Sequence, residues 1–240
     1  MASILSVYSA LKDISNKEQK GFINPNVFNS FAPIAQMNVY NEIFAGFELA
    51  KQKSRANIDP GRDRSQRKMV SEDVAIYLKE SLLRSISDNR FRKPEDLGKV
   101  VSIRVEGDIN TSDDRTLCEI VYDAERMNAV LGSNLSTPTN SFPVAMVGMD
   151  IELFPDTVKD AYITYYALPT SYDYGTTNVS VLNPQISLSN GVINPNASRD
   201  FMLPKEYEPE VLAEMCKLLG VRLRDNNLQQ FGLREEASES

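Results

Sequence analysis

The chain has 240 residues, of which 42% are hydrophobic and 25% charged, so it can bury a substantial core. Its net charge of −7 argues against a general nucleic-acid-binding protein, because such proteins usually have more basic than acidic residues. The sequence has no histidine, which excludes Ser-His-Asp and Cys-His catalysis and removes the commonest neutral metal ligand. Cys118 and Cys216 have no zinc or redox spacing, and we interpret both as unpaired buried thiols of a reducing compartment.

Residues 1–94 are predicted to be helical. Apolar residues at helical spacing predict a helix from Ile4, and Asn24-Pro25 is a cap followed by proline at the first helical position. Pro33 is expected to kink or restart this second helix. A third helix is predicted over 71–87, with Ser71 as its cap.

The pattern changes after residue 95. Alternation over 99–105 predicts a strand with Val101, Ile103 and Val105 on one face. Further elements are expected at 117–122 (a strand or the start of a helix), 123–131 (a short helix), and 143–154 and 159–167 (strands).

Turn residues dominate 168–200, where 179–182 is a short extended piece and Asn190-Gly191 marks a turn. A last helix is predicted over 209–219, ending at Gly220. The fold class is therefore α+β, with a helical N-terminal half and a β-containing C-terminal module closed by a C-terminal helix. The predicted organisation is a helical region 1–94, a β-containing module 95–232 and a flexible tail 233–240.

The motifs of catalysis and cofactor binding are missing from the sequence. There is no phosphate-binding glycine loop and no Ser-x-x-Lys motif. The acids Asp108, Asp113 and Asp114 lack the closing Glu of a calcium loop, so we interpret them as a solvated hairpin tip. We predict no catalytic residues, no metal and no cofactor, hence not an enzyme. A glycan hydrolase with two carboxylates is an alternative, although no acid pair is singled out.

One segment is strongly basic. It is a candidate contact for an acidic partner or for DNA in a channel, and the alternative is a solvated helix end. Its basic residues are Lys51, Lys53, Arg55, Arg62, Arg64, Arg67 and Lys68.

Aromatic residues form two groups. The phenylalanines Phe28, Phe31, Phe44 and Phe47 are interpreted as core or as a helix–helix interface. Tyrosine is enriched at protein interfaces, so a second group is the candidate set of interface anchors. This group consists of Tyr162, Tyr165, Tyr166, Tyr172 and Tyr174.

Three groups of residues occur in a fixed order over about residues 20–232. The first contains Asn24-Pro25-Asn26-Val27-Phe28-Asn29-Ser30-Phe31 and Ala35-Gln36-Met37-Asn38-Val39-Tyr40; the second contains Phe142-Pro143, Phe154-Pro155-Asp156-Thr157 and Tyr165-Tyr166-Ala167-Leu168-Pro169; the third contains Ser198-Arg199-Asp200-Phe201-Met202-Leu203-Pro204, Leu218-Leu219-Gly220-Val221-Arg222-Leu223-Arg224 and Gln229-Gln230-Phe231. This ordered set resembles neck or tail ring proteins of crAss-like bacteriophages.

The resemblance implies a structural virion protein that forms an oligomeric ring between portal and tail, around the DNA channel. Its expected partners are itself, as a dodecameric ring, the portal protein, other neck or tail ring proteins and nearby genomic DNA. The expected location is the virion neck or tail, after synthesis in the host cytoplasm and without a membrane, because no apolar run reaches membrane-spanning length. Two further alternatives are a virion surface decoration or receptor-binding protein and an accessory of DNA packaging or injection.

Overall fold

The computed structural model describes residues 1–17, 23–55, 71–87, 89–106, 115–158, 160–174 and 179–223. The chain divides into two compact units, residues 1–76 with 169–240, and residues 77–168. The first unit is mainly helical and the second is mainly β, so the predicted α+β class is confirmed. The division does not follow the predicted boundary at residue 94, because strands already begin at Leu78 and the C-terminal helix belongs with the N-terminal helices.

The helices are α1 (Ile4–Lys17), α2 (Pro25–Arg55), α3 (Ala124–Leu131) and α4 (Glu208–Leu223), and residues 71–75 are also helical. The strands are β1 (Leu78–Leu82), β2 (Arg84–Ser87), β3 (Arg90–Arg92), β4 (Leu97–Glu106), β5 (Arg115–Leu117), β6 (Glu119–Val121), β7 (Val144–Val147), β8 (Ile151–Phe154), β9 (Ala161–Ala167), β10 (Ser171–Tyr174), β11 (Val179–Leu182), β12 (Leu188–Ser189) and β13 (Val192–Ile193).

In the helical unit, α1 and α2 both pack against α4. Ile4, Tyr8 and Leu11 of α1 are buried, which confirms the predicted apolar face. The ring of Tyr8 meets Phe28 of α2 edge to face, with centroids 5.2 Å apart. The helix α2 continues through Pro33, so the helix does not restart there, and a kink at Pro33 stays a prediction.

The first turn of α1 receives its hydrogen-bond partners from the far end of the sequence. The N–H groups of Ser3 and Ile4 donate to Oε1 of Glu208 (2.8 Å) and Oδ1 of Asp200 (2.9 Å). Ala2 pairs with the same segment through its backbone, donating to the carbonyl of Leu203 at 2.8 Å. Two carboxylates therefore satisfy N–H groups that a helix start leaves without intrahelical partners.

The loop-rich segment of the helical unit contains two separate hairpins, β10–β11 and β12–β13. The predicted extended piece 179–182 is confirmed as β11. Asn190 and Gly191 join β12 to β13 with φ values of 51° and 78°, which confirms the predicted turn and matches the positive φ values of a two-residue hairpin loop.

The β unit consists of two sheets that share one core. Sheet 1 has the strand order β1-β9-β4-β5, and sheet 2 has the order β2-β3-β8-β7-β6. The chain passes from one sheet to the other at Leu83, between β1 and β2, and at Cys118, between β5 and β6. Both residues are buried in the shared core, together with Phe91, Ile103 and Ile151.

Several predicted elements differ from the helices and strands that the structure shows. The helix predicted over 71–87 is wrong beyond residue 77, because 78–87 forms β1 and β2. Residues 117–122 are extended, and 143–154 is a hairpin of two strands. The helix predicted over 123–131 is confirmed, with Asp123 as its N-cap. In the other unit, α4 continues through Gly220, so the predicted cap there is wrong.

Val101 does not share a face with Ile103 and Val105. Val100 pairs with Tyr165 and Ser102 with Thr164, so Val101 is an extra residue in β4. Such a bulge shifts the alternation of side chains, and Val101 is exposed while Ile103 and Val105 are buried.

Candidate interaction surfaces

The outer side of sheet 1 is built by the alternation of β9. Ile163 and Tyr165 point into the shared core, and Tyr162, Thr164 and Tyr166 point away from it. Directly opposed residues of antiparallel strands share a face, so the pairings of Leu78 with Tyr166 and of Leu82 with Tyr162 place both leucines on this outer side.

Residues of β4 and β5 complete this surface. Arg104 pairs with Tyr162 on one side and with Leu117 on the other, so all three lie on the outer side. Leu78, Leu82 and Leu117 are 46%, 51% and 61% exposed. We call this surface the sheet 1 face. It comprises Leu78, Glu80, Leu82, Lys99, Ser102, Arg104, Glu106, Arg115, Leu117, Tyr162, Thr164 and Tyr166.

Arg115 lies across the middle of the sheet 1 face. Its guanidinium carbon is 3.9 Å from the centroid of the Tyr162 ring, in cation–π geometry. The same guanidinium forms an ion pair with Glu80 of β1 at 2.6 Å. A side chain that starts on β5 thus contacts both β9 and β1, which orders the centre of the face.

The five candidate tyrosines separate into three classes. Tyr162 and Tyr166 are half-buried on the sheet 1 face, and their role as interface anchors stays a prediction. The prediction that Tyr165 is an interface anchor is wrong, because side chains alternate along β9 and that of Tyr165 points into the core. There its hydroxyl donates to Oδ1 of Asp96 at 2.7 Å. Tyr172 and Tyr174 lie in β10, and their side chains are outside the described residues.

Asp96 is a buried carboxylate held by two donors. Besides Tyr165, Nζ of Lys79 donates to it at 2.7 Å. Burial raises the pKa of Asp96, but the hydrogen bonds from Lys79 and Tyr165 outweigh this effect and hold the pKa below its ordinary value. The group is fully engaged inside the fold, and we interpret it as structural.

A second surface lies on the outer side of sheet 2, where α3 packs. Met127 of α3 is buried against Val121 of β6 and Val144 of β7. The Asp123 side chain accepts from the N–H of Glu125 at 3.0 Å and caps the helix. Glu119 and Val121 share the outer side of β6, and Glu119 forms an ion pair with Arg126.

Exposed apolar residues also occur in the loop that follows this helix. Leu135 and Phe142, in the loop between α3 and β7, are 98% and 78% exposed. We call this second surface the α3 face. It comprises the outer side of sheet 2, with Arg84, Arg90, Arg92, Glu119 and Glu152, together with Asp123, Glu125 and Arg126 at the start of α3. Sequence reasoning missed this surface and the two exposed loop residues, although Leu135 and Phe142 stand among polar residues where no element is predicted to bury them.

Only part of the basic segment lies in the described residues. Lys51 is exposed in the last turns of α2, with its Nζ 5.8 Å from the centroid of the Phe47 ring. Lys53 and Arg55 belong to the same helix, but their side chains are outside the described residues. Arg62, Arg64, Arg67, Lys68 and the acids Asp108, Asp113 and Asp114 also lie outside them.

Burial raises the pKa of several ionisable groups elsewhere in the described residues. Cys118 and Cys216 are buried and unpaired, as predicted, and burial raises the pKa of each thiol to about 12. Burial also raises the pKa of Glu210 on α4, with a smaller contribution from the charge of Glu42 on α2. In the described part of the chain, Oε2 of Glu210 is buried without a hydrogen-bond partner.

Residues that the structure describes contain no group of three or more Cys, Asp or Glu side chains arranged to hold a metal ion. Among the helices formed by those residues, none is both long and apolar enough to cross a membrane. No protein-family model matches the chain, and no curated protein matches it.

Proposed function

We propose that the chain is a non-enzymatic structural protein of a phage virion, which forms an oligomeric ring in the neck or tail and links portal to tail around the DNA channel. The observation that supports this proposal best is the sheet 1 face, where three exposed leucines and two tyrosines surround an arginine that is already ordered.

The composition of this face is typical of a protein interface. A solvated sheet face usually presents polar side chains, whereas the centres of interfaces are enriched in aromatic residues and arginine. Arg115, held by Tyr162 and Glu80, loses little further conformational freedom when a partner covers it. The face is thus suited to hold a protein partner at low entropic cost.

The basic segment has a separate role in this proposal. Lys51, the first of its basic residues, is exposed in the last turns of α2, which ends at Arg55. We assign the segment to contact with an acidic partner surface or with DNA in the channel. Because such contacts release counterions, they weaken as the salt concentration rises.

The proposal is tested by the native mass of the recombinant protein, followed by negative-stain images of any large species. We expect a closed ring of about twelve subunits, since head-to-tail contacts that close by rotation generate rings. If the free protein is a monomer, mixing it with portal rings should produce the same ring on the portal. A trimer would favour the surface-protein alternative, and a monomer that also fails to bind portal would refute the ring.

A further inference from the structure

We propose that Asn190 is a modification site at which the chain deamidates without an enzyme: the backbone nitrogen of Gly191 attacks the side-chain amide of Asn190 and expels ammonia. The position of this Asn-Gly pair at the tip of the hairpin β12–β13 carries the inference. It is independent of the ring proposed above, because it concerns the chemistry of a single chain.

The reaction needs no partner other than water. The nitrogen of Gly191 loses its proton and forms a bond to Cγ of Asn190, while the bond from Cγ to Nδ2 breaks and the amide group leaves as ammonia with that proton. The product is a succinimide ring. Water then opens the ring at one of its two carbonyl groups. Breaking the bond to Cγ gives aspartate, and breaking the bond to the main-chain carbonyl carbon gives isoaspartate.

The sequence singles out this asparagine. Asn190 is the only asparagine of the chain that glycine follows, and glycine has no Cβ to hinder the attack of its nitrogen. Asn24, Asn183 and Asn194 each precede a proline, which has no N–H, so they cannot form the ring. The remaining asparagines precede residues that carry a Cβ.

The Asn-Gly pair is accessible in the folded protein. Ser189 pairs with Val192, so Asn190 and Gly191 form the two-residue loop beyond the last pair of the ladder. Both loop residues are exposed. A Cβ built on Gly191 would meet nothing within 4 Å, so the space beside its α-carbon is open.

The tip of this hairpin can open easily. Ring closure requires rotation about the Cα–C bond of Asn190, so the loop has to leave its hairpin geometry before it reacts. Each strand contributes only two residues, and Leu188 and Val192 are 42% and 69% exposed. Little apolar burial therefore stabilises the closed tip, and such a segment opens locally at low cost.

The base of the hairpin is held separately from its tip. The N–H of Asn194 donates to the carbonyl of Ser187 at 2.8 Å. The hydroxyl of Ser198 donates to the carbonyl of Asn194, also at 2.8 Å. Opening at Asn190 therefore does not require the rest of the helical unit to unfold.

Asn140 provides a comparison within the same chain. It is exposed as well, but Ser141 follows it and carries a Cβ. Its Oδ1 also accepts a hydrogen bond from the hydroxyl of Thr157 at 2.9 Å, which holds the side chain in place. Asn140 should therefore react much more slowly than Asn190.

The two products have different effects on the hairpin. Aspartate adds a negative charge but tolerates the left-handed conformation of Asn190, and Asp-Gly also favours a two-residue loop. Isoaspartate inserts an extra carbon atom into the main chain of the loop. The isoaspartate form can no longer close β12 on β13 with the same geometry.

The test incubates the folded full-length protein at mildly alkaline pH and physiological temperature, and maps its peptides by mass spectrometry over time. We expect Asn190 to be converted at least about tenfold faster than Asn140, because glycine leaves the attacking nitrogen unhindered. Both aspartate and isoaspartate should form at position 190. The added methyl group of Gly191→Ala should slow this conversion by at least about tenfold.

The same chain unfolded in urea supplies the rate without the fold. If the folded protein stays unmodified while the unfolded chain is converted, the hairpin protects Asn190 and the proposal is wrong. Equal rates at Asn190 and Asn140 would also overturn it, as would an unchanged rate in Gly191→Ala. Aspartate without isoaspartate at position 190 would exclude the ring. Circular dichroism checks the fold of Gly191→Ala, and if this variant misfolds, the comparison of Asn190 with Asn140 in the wild type decides.

Discussion

The side-chain amide of Asn29 holds the backbone of Ile186 through two hydrogen bonds. Its Nδ2 donates to the carbonyl of Ile186 at 2.9 Å, and its Oδ1 accepts from the N–H of Ile186 at 2.7 Å. Ile186 is buried, so neither backbone group has ready access to water. One side chain on α2 thereby fixes the start of the segment that leads into the hairpin β12–β13.

We expect Asn29→Ala to lower the free energy of unfolding by roughly 1–3 kcal/mol, because it leaves two buried polar groups of the backbone without partners. Urea unfolding followed by circular dichroism measures this loss. Ser30→Ala is the control, since Ser30 is exposed and bonds only within its own helix, and it should change little. Equal effects of the two substitutions would show that the amide contacts do not stabilise the segment.

The carboxylate of Asp96 should make stability depend on acid pH. Its pKa in the folded protein lies below the ordinary value, so its contribution is present above the unfolded pKa of about 3.9 and is lost as the pH falls through the folded pKa. We expect Asp96→Asn to be less stable than the wild type at pH 7, with a difference that narrows below about pH 4. Urea unfolding at a series of pH values measures both.

Asp156→Asn is the control for this experiment, because Asp156 is exposed in the loop that precedes β9. Its stability should follow that of the wild type across the series. A gap between wild type and Asp96→Asn that stayed constant down to pH 2 would contradict the assigned role.

The contribution of Glu210 to stability should depend on pH in the opposite direction to that of Asp96. Its pKa is raised by burial, so its contribution to stability is complete below the unfolded pKa of about 4.3 and is lost as the pH rises through the folded pKa. We expect Glu210→Gln to raise the melting temperature at pH 7 by roughly 1–3 °C, because the buried charge is removed. Calorimetry at pH 7 and pH 4 measures the change, and the gain should vanish at the lower pH. Glu206→Gln, at an exposed position, is the control.

Arg115 should matter more for assembly than for folding. Its ion pair with Glu80 is exposed, with 41% and 46% of the two side chains accessible, and such pairs contribute at most about 1 kcal/mol to stability. We expect Arg115→Ala to unfold near the wild-type temperature but to assemble at least about tenfold more weakly, because arginine is enriched among the dominant residues of interfaces. Arg115→Lys keeps the charge and loses the planar stacking, so it should be intermediate. Wild-type assembly by Arg115→Ala would exclude the sheet 1 face from the contact.

Local signals in the sequence predicted the elements that depend on nearby residues. The start of α2 at Pro25, the short helix predicted over 123–131 and the turn at Asn190-Gly191 all follow from short-range chemistry. The alternation of β9 also implied that Tyr165 shares a side with Ile163, so its exclusion from the surface was accessible to sequence reasoning.

The elements that local sequence signals did not predict depend on pairing between residues far apart in the chain. Val74, Leu78, Leu82 and Ile86 recur at helical spacing, yet residues 78–82 pair with β9, more than seventy residues later in the chain. The bulge at Val101 depends on register with the same strand. The sheet 1 face exists only because β1, β9, β4 and β5 are adjacent in space, so its residues are scattered in sequence.

The capping of α1 by Asp200 and Glu208 has a consequence for biosynthesis. The ribosome makes α1 first, whereas its two carboxylate partners and the helix α4 that covers it come last. Residues 77–168, which form their own compact unit, are translated in between and can fold while α1 still awaits its partners. The side of α1 that packs on α4 can therefore be covered only after Glu208 has been translated, whereas the contact of Tyr8 with Phe28 of α2 can form much earlier.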